Sequence, residues 1–501
     1  MLTRLRVDGF KNLNAVDVHF GPFTCIAGPN GVGKSNLFDA IAFLSALADK
    51  PLVEAALTVR GVETRRSDVR GIFRRSGEAI ASEMHIEVEM LIPQQGEDFL
   101  GQEALAGTTY LKYCLSLQHR ADPQAAGVGV LEIAHESLEH IKKQEARDAL
   151  GFVHSPEWLK SVVIGKRGIP YISTDPGPNG QIITLRSDSA GAKGGGRPRS
   201  VLAATLPRTV LSSVQNAAEH RTVVLARQEM MSWTQLQLEP TALRKPDDFT
   251  SPRSLTASGG HLPATLYELA QREERVERGG SANLYAQVAN RLSELVEGVS
   301  KLRIDVDEKR QLLSVVMTDR SRTDHFAGAL SDGTLRFLAL VVLEADRRGR
   351  SLICLEEPEN GMHPSRIPAV IQLLADIAVD VSLPVGDDNP LRQVIINTHS
   401  PGVVRCVHDQ SLLIAQASSS PTSLRPLGSL TLRPLTKTWR ARVSPDLPTA
   451  ARADVLAYLD GGESRALSGG YRPSGADCPR VAERAVAEGW LPFPSTQDAE
   501  S

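Results

Sequence analysis

The 501-residue sequence predicts an α/β protein: a phosphate-binding (P-loop) head with a mostly parallel sheet, an additional antiparallel sheet and a partly helical insertion. Three observations predict this fold. A short strand near the amino terminus runs directly into a glycine-rich turn and a helix. Strands with alternating apolar and charged residues follow, which is typical of an antiparallel sheet with one buried face. Strands then alternate with helices, as parallel strands require because they need crossover connections.

The amino-terminal part supplies the first elements of this head. Strands are predicted at residues 2–7, 16–20 and 23–27, and a helix at 36–47. Within residues 84–92, charged and apolar side chains alternate, and residues 110–117 are the expected antiparallel partner. The periodic signal weakens between about 120 and 260, where we expect the insertion.

Regular patterns return near residue 282, where leucine and valine fall on one helical face. The predicted elements that follow are strands at 302–306 and 312–317, a helix at 333–346, a strand at 352–355, a helix at 365–379, and strands at 393–397 and 412–415. The sequence therefore predicts four regions: 1–104 and 281–416 as the two parts of the head, 105–280 as the insertion, and 417–501 as a small carboxyl-terminal tail.

Composition and charge narrow the class of protein. With 41% hydrophobic and 23% charged residues the chain is not disordered as a whole, and its net charge of −3 means that nucleic acid would have to bind at a local basic patch. Lys193, Arg197 and Arg199 are a candidate patch, although a solvated loop explains them equally well. The five scattered cysteines have no zinc or disulfide spacing, and no apolar run approaches the ~20 residues of a membrane span. A cytoplasmic protein is expected.

The strongest motif is Gly28-Pro-Asn-Gly-Val-Gly-Lys-Ser35, which lies between a predicted strand and a predicted helix. Its glycines let backbone N–H groups surround a phosphate, and the lysine reaches the β- and γ-phosphates while the serine hydroxyl ligates Mg²⁺. ATP and Mg²⁺ are therefore the predicted cofactors. The candidate binding residues are Asn30, Gly31, Gly33, Lys34, Ser35 and Asn36, with Ser35 also a metal ligand.

A second motif, Ser351-Leu-Ile-Cys-Leu-Glu-Glu-Pro-Glu359, is an apolar strand that ends in adjacent carboxylates. Glu356 is the predicted Mg²⁺ ligand, acting through water, and Glu357 is the predicted general base that activates the attacking water. An acidic end to a strand is the alternative interpretation. Downstream of a phosphate loop, the pair of motifs favours ATP hydrolysis over binding alone.

Two further motifs make a family resemblance specific. Leu330-Ser-Asp-Gly-Thr334 resembles the signature motif of ABC-type ATPases, and Asn397-Thr-His-Ser-Pro401 resembles their histidine switch. The run Glu356-Glu-Pro-Glu-Asn-Gly-Met-His-Pro364 and the amino-terminal Leu5-Arg-Val-Asp-Gly-Phe-Lys-Asn12 are similar to those of RecF/SMC-like and OLD-family ATPases. The resemblance covers about 1–95 and 280–416.

This resemblance implies that Ser331 and Gly333 meet the γ-phosphate bound by a second protomer, so that the active form is a homodimer with ATP at the interface. It also implies that His399 contacts the γ-phosphate or the attacking water, that Lys11 approaches the nucleotide, and that residues 360–363 communicate across the dimer. Taken alone, Ser331 and Gly333 are also explained as a helix N-cap. In the same way, His399 is also explained as a strand-end histidine, and Lys11 as an exposed turn lysine. Gln94 and Gln95 are candidates for the glutamine that completes the metal site in this group.

The implied function is an ATPase that acts on or around DNA, in repair or anti-phage defence. OLD-family nucleases add a Toprim domain, whose acidic cluster the tail lacks; Asp460-Gly-Gly-Glu463 is the nearest match, and we interpret it as a turn. A separate nuclease or effector subunit is therefore a further expectation. Two alternatives stay open: a regulatory ATPase switch that acts on a protein partner, and the ATP-binding subunit of a transporter.

Overall fold

The computed structural model describes residues 1–60, 69–76, 79–120, 130–189, 197–347, 349–418 and 428–459. Its strands are β1 (Leu2–Asp8), β2 (Val16–His19), β3 (Phe23–Ala27), β4 (Arg75–Ser76), β5 (Ala79–Ile80), β6 (Glu83–Leu91), β7 (Gln95–Glu97), β8 (Glu103–Leu105), β9 (Tyr110–Arg120), β10 (Val130–His140), β11 (Ile172–Gly177), β12 (Gly180–Leu185), β13 (Arg199–Leu202), β14 (Thr234–Leu236), β15 (Asp247–Asp248), β16 (Val299–Asp307), β17 (Leu312–Asp319), β18 (Asp324–Phe326), β19 (Leu352–Glu356), β20 (Gln393–Thr398), β21 (Leu412–Ala417) and β22 (Leu430–Pro434).

The α-helices are α1 (Lys34–Leu47), α2 (Leu52–Leu57), α3 (Lys143–Leu150), α4 (Pro156–Val162), α5 (Val210–Ser213), α6 (Ala217–Met231), α7 (Pro240–Leu243), α8 (Leu262–Val276), α9 (Gly280–Leu295), α10 (Asp332–Ala345), α11 (Ile367–Ile377), α12 (Pro401–Cys406), α13 (Trp439–Val443) and α14 (Arg452–Leu459). Lys193, the 460–463 cluster and Cys478 lie outside the described residues.

A six-stranded sheet, in the order β14-β19-β20-β3-β21-β22, forms the centre of the head. Its first five strands are parallel and β22 pairs antiparallel with β21, which confirms the mostly parallel sheet. Alternate residues of one strand enter opposite cores: Ile26 packs in the core that contains α1, and Cys25 in the core that contains α10 and α11. Burial on both faces explains why these strands are continuously apolar in sequence.

An eight-stranded antiparallel sheet, in the order β13-β12-β11-β10-β9-β6-β1-β2, contributes to the core on the α1 side. Leu5, Ile86 and Leu115 are buried in that core. On β1 and β6, Arg6 and Glu87 form an ion pair between neighbouring strands, 2.9 Å from Nη1 to Oε1. The predicted pairing of residues 84–92 with 110–117 is present as β6 and β9.

The region predicted as an insertion is joined to both sheets. Strands β9 to β13 extend the antiparallel sheet, and β14 forms the edge of the parallel sheet beside β19. The sequence pattern weakened here for two reasons. A register shift between Ile133 and His135 breaks the alternation of β10, and the three-residue β14 is too short to have a recognisable period.

The described part of the tail is also joined to the head. Strand β22 pairs with β21, and the buried Arg440 of α13 donates from Nε to the His19 carbonyl at 2.9 Å and from Nη2 to Thr24 Oγ1 at 2.7 Å. Burial lowers the pKa of Arg440 to about 9. Residues 428–443, which belong to the predicted carboxyl-terminal tail, therefore pack against the head.

Four parallel strands position the candidate site at their carboxyl ends. The glycine-rich loop follows β3, the adjacent carboxylates end β19, the histidine motif follows β20, and β14 carries a glutamine. This edge is where parallel α/β sheets bind ligands. No helix among the described residues is both long enough and apolar enough to cross a bilayer.

Candidate functional site

The glycines of the phosphate loop have the conformations that the motif requires. Gly31 and Gly33 have φ values of 80° and 106°, in the region that disfavours other residues. A Cβ atom on Gly33 would lie 2.3 Å from Asn12 Nδ2, and one on Gly28 would lie 2.3 Å from the carbonyl oxygen of Ala415. The loop therefore passes too close to its neighbours to carry a side chain at Gly28 or Gly33.

Lys34 lies inside this loop. Its Nζ donates to the carbonyl oxygens of Gly28 and Pro29, at 2.6 and 2.7 Å. Burial lowers the pKa of Lys34, and the nearby carboxylates of Glu357 and Glu356 oppose that shift. Helix α1 begins at this lysine without a side-chain cap, so its first N–H groups and the ammonium together provide a site for an anion.

Asn12 anchors the loop from the turn between β1 and β2. Its Nδ2 donates to the Val32 carbonyl at 3.1 Å, and its Oδ1 accepts from Asn36 Nδ2 at 2.8 Å. The side chain of Asn36 thus supports the loop from within α1. Asn30 and Gly31 lie at the exposed tip of the loop.

The predicted metal ligands meet across the sheet. Ser35 Oγ donates to Glu356 Oε2 at 2.8 Å, and Gln235 Nε2 donates to Glu356 Oε1 at 2.6 Å. A hydroxyl, a carboxylate and an amide oxygen are the donors that Mg²⁺ prefers, so these residues fit the ion. No three His, Cys, Asp or Glu side chains converge in the described part of the chain, so phosphates and water would complete the coordination.

Gln235 is a residue that the sequence analysis missed. Gln94 and Gln95, the two glutamines considered there, are exposed and lie at the β7–β8 hairpin, where Gln95 pairs with Leu105. Gln235 instead lies on β14, beside β19, in a segment that carries no motif. Only the order of the strands in the sheet identifies it.

Arg60 is a second residue without a sequence signal. Its guanidinium lies 2.6 Å from Glu356 Oε1, donates to the Ser35 carbonyl at 3.0 Å, and donates to Asp39 Oδ1 at 2.7 Å. Burial favours the neutral form of Arg60, yet the hydrogen bonds that its guanidinium donates to Glu356 and Asp39 raise the pKa of Arg60. Lys11 Nζ donates to Asp39 Oδ2 at 2.6 Å, so this lysine is connected to Glu356 through Asp39 and Arg60.

Glu357, the predicted base, has an unusual backbone conformation and two side-chain hydrogen-bond partners. It follows the last residue of β19 with φ 46°, a conformation that is strained for a residue with a side chain and that occurs often at functional sites. Its Oε1 lies 2.6 Å from His399 Nδ1, and its Oε2 accepts from Asn360 Nδ2 at 2.6 Å. The structure thus brings together the predicted base and the predicted histidine switch.

Glu359 is hydrogen-bonded to the turn that contains His399. This buried carboxylate accepts a hydrogen bond from Thr398 Oγ1, which in turn accepts from the Ser400 backbone N–H at 2.9 Å. Burial raises the pKa of Glu359. The residues on either side of His399 are therefore held by the same acidic motif that supplies Glu357.

The signature motif lies at the start of α10. Ser331 is the N-cap of this helix, and its Oγ accepts from the Thr334 N–H at 3.2 Å, so the capping interaction expected under the alternative interpretation is present. Ser331 is also exposed, and a Cβ on Gly333 would meet only the Gly361 carbonyl, at 4.0 Å. This helix end is therefore open to an approaching group.

The predicted basic patch lies on other elements. Arg197 precedes β13, the edge strand of the antiparallel sheet, and Arg199 begins it; both are exposed. Neither arginine belongs to a strand or turn that forms the phosphate site.

Comparison with known proteins gives a family match over two parts of the chain. A family model described as "AAA domain, putative AbiEii toxin, Type IV TA system" matches residues 23–99 and 233–405. These ranges include the phosphate loop, Gln235, the signature motif, the carboxylates and the histidine motif.

Curated relatives include the "DNA replication and repair protein RecF" of two strains of Porphyromonas gingivalis, each 35% identical over 82 residues, or 16% of this chain. The match spans about a fifth of the length of those relatives, 22%.

Among solved structures, an Smc head bound to the C-terminal winged-helix domain of ScpA has a TM-score of 0.42 at 14% identity, covering 86% of this chain and 97% of that one. The SMC head domain from Thermotoga maritima has a TM-score of 0.37 at 12% identity, covering 87% of this chain and 98% of that one.

Proposed function

We propose that the chain is an ABC-type ATPase of the RecF/SMC-like group that binds ATP with Mg²⁺, hydrolyses it, and dimerises in an ATP-dependent way to act on or around DNA; the AAA-domain family match over residues 23–99 and 233–405 supports the family assignment. The observation that carries the proposal is the meeting of three separate segments at Glu356 and Glu357. Ser35 and Gln235 contact the first carboxylate, and His399 contacts the second.

ATP binding is assigned to the phosphate loop. Lys34 and the N–H groups at the start of α1 bind the β- and γ-phosphates, because a buried ammonium and a helix N-terminus both favour an anion. Ser35 and Glu356, with Gln235, would hold Mg²⁺, which neutralises charge on the phosphates when it is bound. Arg60 balances the charge of Glu356 until the cation arrives.

Hydrolysis is assigned to Glu357 and His399. Glu357 accepts the proton of the attacking water, and the two hydrogen bonds from His399 and Asn360 hold its carboxylate in one orientation. His399 keeps its second ring nitrogen for the γ-phosphate or for the water. Removal of the base would stop turnover without removing the nucleotide.

Dimerisation is assigned to the exposed start of α10. Ser331 and Gly333 would meet the γ-phosphate held by a second copy of the chain, so that two nucleotides lie at one interface. The open surface at Gly333 and the free N–H groups of this helix end support the assignment.

A role in DNA repair or anti-phage defence, with a separate nuclease or effector subunit, is the wider biological proposal. The RecF relatives, described as replication and repair proteins, support its DNA part. The second candidate is an ATPase switch that acts on a protein partner, and DNA dependence separates the two.

The test is ATP turnover by the purified protein with Mg²⁺, measured alone and with single- or double-stranded DNA, together with the mass of the Glu357→Gln variant in solution with ATP. A trapped dimer and DNA-stimulated turnover are the expected results. A dimer indifferent to DNA would favour the protein switch, and a parent protein without ATP turnover would overturn the enzymatic proposal.

A further inference from the structure

Arg244 holds the start of the signature motif from a neighbouring segment. It follows α7, and its Nη2 donates to the Leu330 carbonyl at 3.1 Å and to the Asp332 carboxylate. One guanidinium nitrogen therefore touches the residues on both sides of Ser331.

Asp332 places a negative charge next to Ser331. It lies in the first turn of α10, and its side chain is 58% exposed. A carboxylate here stabilises the helix of a single chain. The same carboxylate would repel a triphosphate that approaches Ser331 and Gly333 from a second copy, because like charges at a forming interface oppose association.

We propose that Arg244 neutralises Asp332 and thereby allows the signature motif to accept the phosphate bound by a second copy of the chain, an inference that rests on the proposed function. Arg244 is a positioning residue: it sets the charge and orientation of the loop that meets the phosphate. Its own exposure is 30%, so the pair lies at the rim of the surface where the partner would dock.

The same segment reaches the metal site of its own chain. Residues 235–244 begin with the glutamine that contacts Glu356 and end with the arginine that contacts Asp332. One short stretch of backbone therefore contacts both Glu356 and the signature motif.

A purely structural role for Arg244 makes a different prediction. If the arginine only holds the Leu330 carbonyl, its loss should be harmful whether or not Asp332 carries a charge. If the arginine neutralises Asp332, removing that charge should make the arginine dispensable. A double variant separates these roles.

The experiment uses the full chain carrying Glu357→Gln, with ATP and Mg²⁺. Analytical ultracentrifugation measures the dimer dissociation constant. Nucleotide affinity is measured separately, at dilutions where the chain is monomeric. Arg244→Ala should weaken dimerisation about tenfold or more with unchanged nucleotide affinity. Asp332→Asn, Arg244→Lys and the double variant Arg244→Ala/Asp332→Asn should stay within about threefold of the Glu357→Gln protein. Arg275→Ala, which removes another exposed arginine from an ion pair with Glu268, is the matched control and should change nothing.

A double variant as weak as Arg244→Ala would overturn the proposal, as would an Arg244→Ala protein that dimerises like its parent. A Glu357→Gln parent that stays monomeric with ATP would instead overturn the proposed function, and the role of Arg244 with it. Thermal melting of each variant identifies any that fails to fold, and Arg244→Lys then supplies the charge test in a side chain of similar length.

Discussion

Gln235 Nε2 and Glu356 Oε1 lie 2.6 Å apart, although 121 residues separate them in the chain. The contact forms because β14 and β19 are parallel neighbours, paired as Leu236 with Leu355. Gln235 thereby joins the carboxylate predicted to hold Mg²⁺ to the segment that leads towards the signature motif.

The first prediction concerns this glutamine. Gln235→Ala should raise the Mg²⁺ concentration needed for half-maximal ATP turnover about tenfold, because a lost supporting partner weakens metal binding by this order. Metal titration of steady-state turnover measures the change. Gln94→Ala and Gln95→Ala are matched controls, and their Mg²⁺ requirement should equal that of the parent. A changed Mg²⁺ requirement in either control, with none in Gln235→Ala, would contradict the assignment.

The second prediction concerns Lys34. Lys34→Ala should weaken ATP binding roughly a hundredfold, because a buried ammonium aimed at the phosphates is lost from a site built around its charge. Fluorescent-nucleotide titration gives the affinity, and the exposed Lys160→Ala serves as control. Equal affinities in the Lys34 variant and the parent would remove the phosphate loop from the mechanism.

The third prediction concerns the base. Glu357→Gln should reduce kcat about a hundredfold to ten-thousandfold while ATP affinity stays within about twofold, because the amide retains the size of the carboxylate but accepts no proton. Single-turnover kinetics separates binding from chemistry. Glu308→Gln, in the exposed turn between β16 and β17, should behave like the parent; normal turnover by Glu357→Gln would assign the base elsewhere.

The fourth prediction concerns the signature motif. Ser331→Arg should bind ATP as the parent does and fail to dimerise, because a large side chain at the exposed start of α10 blocks the surface assigned to the partner's phosphate. Ultracentrifugation in the Glu357→Gln background is the measurement, with Ser293→Arg on α9 as the control. Dimerisation at the parental constant would contradict the sandwich arrangement.

The fifth prediction is a pH dependence of stability that arises from Glu136. This carboxylate is fully buried on β10 and accepts from the Val210 and Leu211 N–H groups at 2.7 and 2.9 Å and from Tyr113 OH at 3.2 Å. Burial raises the pKa of Glu136 from 4.5 to about 7. The folded chain therefore keeps a proton that the unfolded chain has released, so the contribution is favourable at low pH and is lost as pH rises from about 4.5 to about 7.

This loss should amount to about 3 kcal/mol of unfolding free energy over that range, at 1.36 kcal/mol for each unit of pKa shift. Denaturant unfolding of the parent and of Glu136→Gln between pH 4.5 and 8 measures it. The difference in stability between the two proteins should shrink as pH rises and level off above about 7. A constant difference would mean that Glu136 does not titrate in this range.

Much of the site was predictable from local sequence. The phosphate loop, the adjacent carboxylates and the histidine motif are continuous runs in which each residue type has a chemical reason. The predicted strands that carry them are present as β3, β19 and β20. These strands read as continuously apolar because both of their faces are buried, and that property is local to each strand.

Other parts were not predictable because they depend on distant residues. Strand β10 contains a register shift, and β14 has three residues and is a strand because β19 offers it a parallel partner. Arg60 carries no motif, and its importance follows from its contacts with Glu356 and Asp39.

The sequence by itself determined the α/β class, the phosphate loop and the identity of the carboxylates, because period, glycine placement and residue chemistry are properties of neighbouring positions. Only the tertiary structure decided that Gln235 completes the group around Glu356 and that Arg244 pairs with Asp332. Such pairs depend on the order of the strands in the sheet and on which segments cross its carboxyl edge. Residues that lie far apart in the sequence become neighbours only when the sheet forms, so their spacing in the sequence does not reveal the contact.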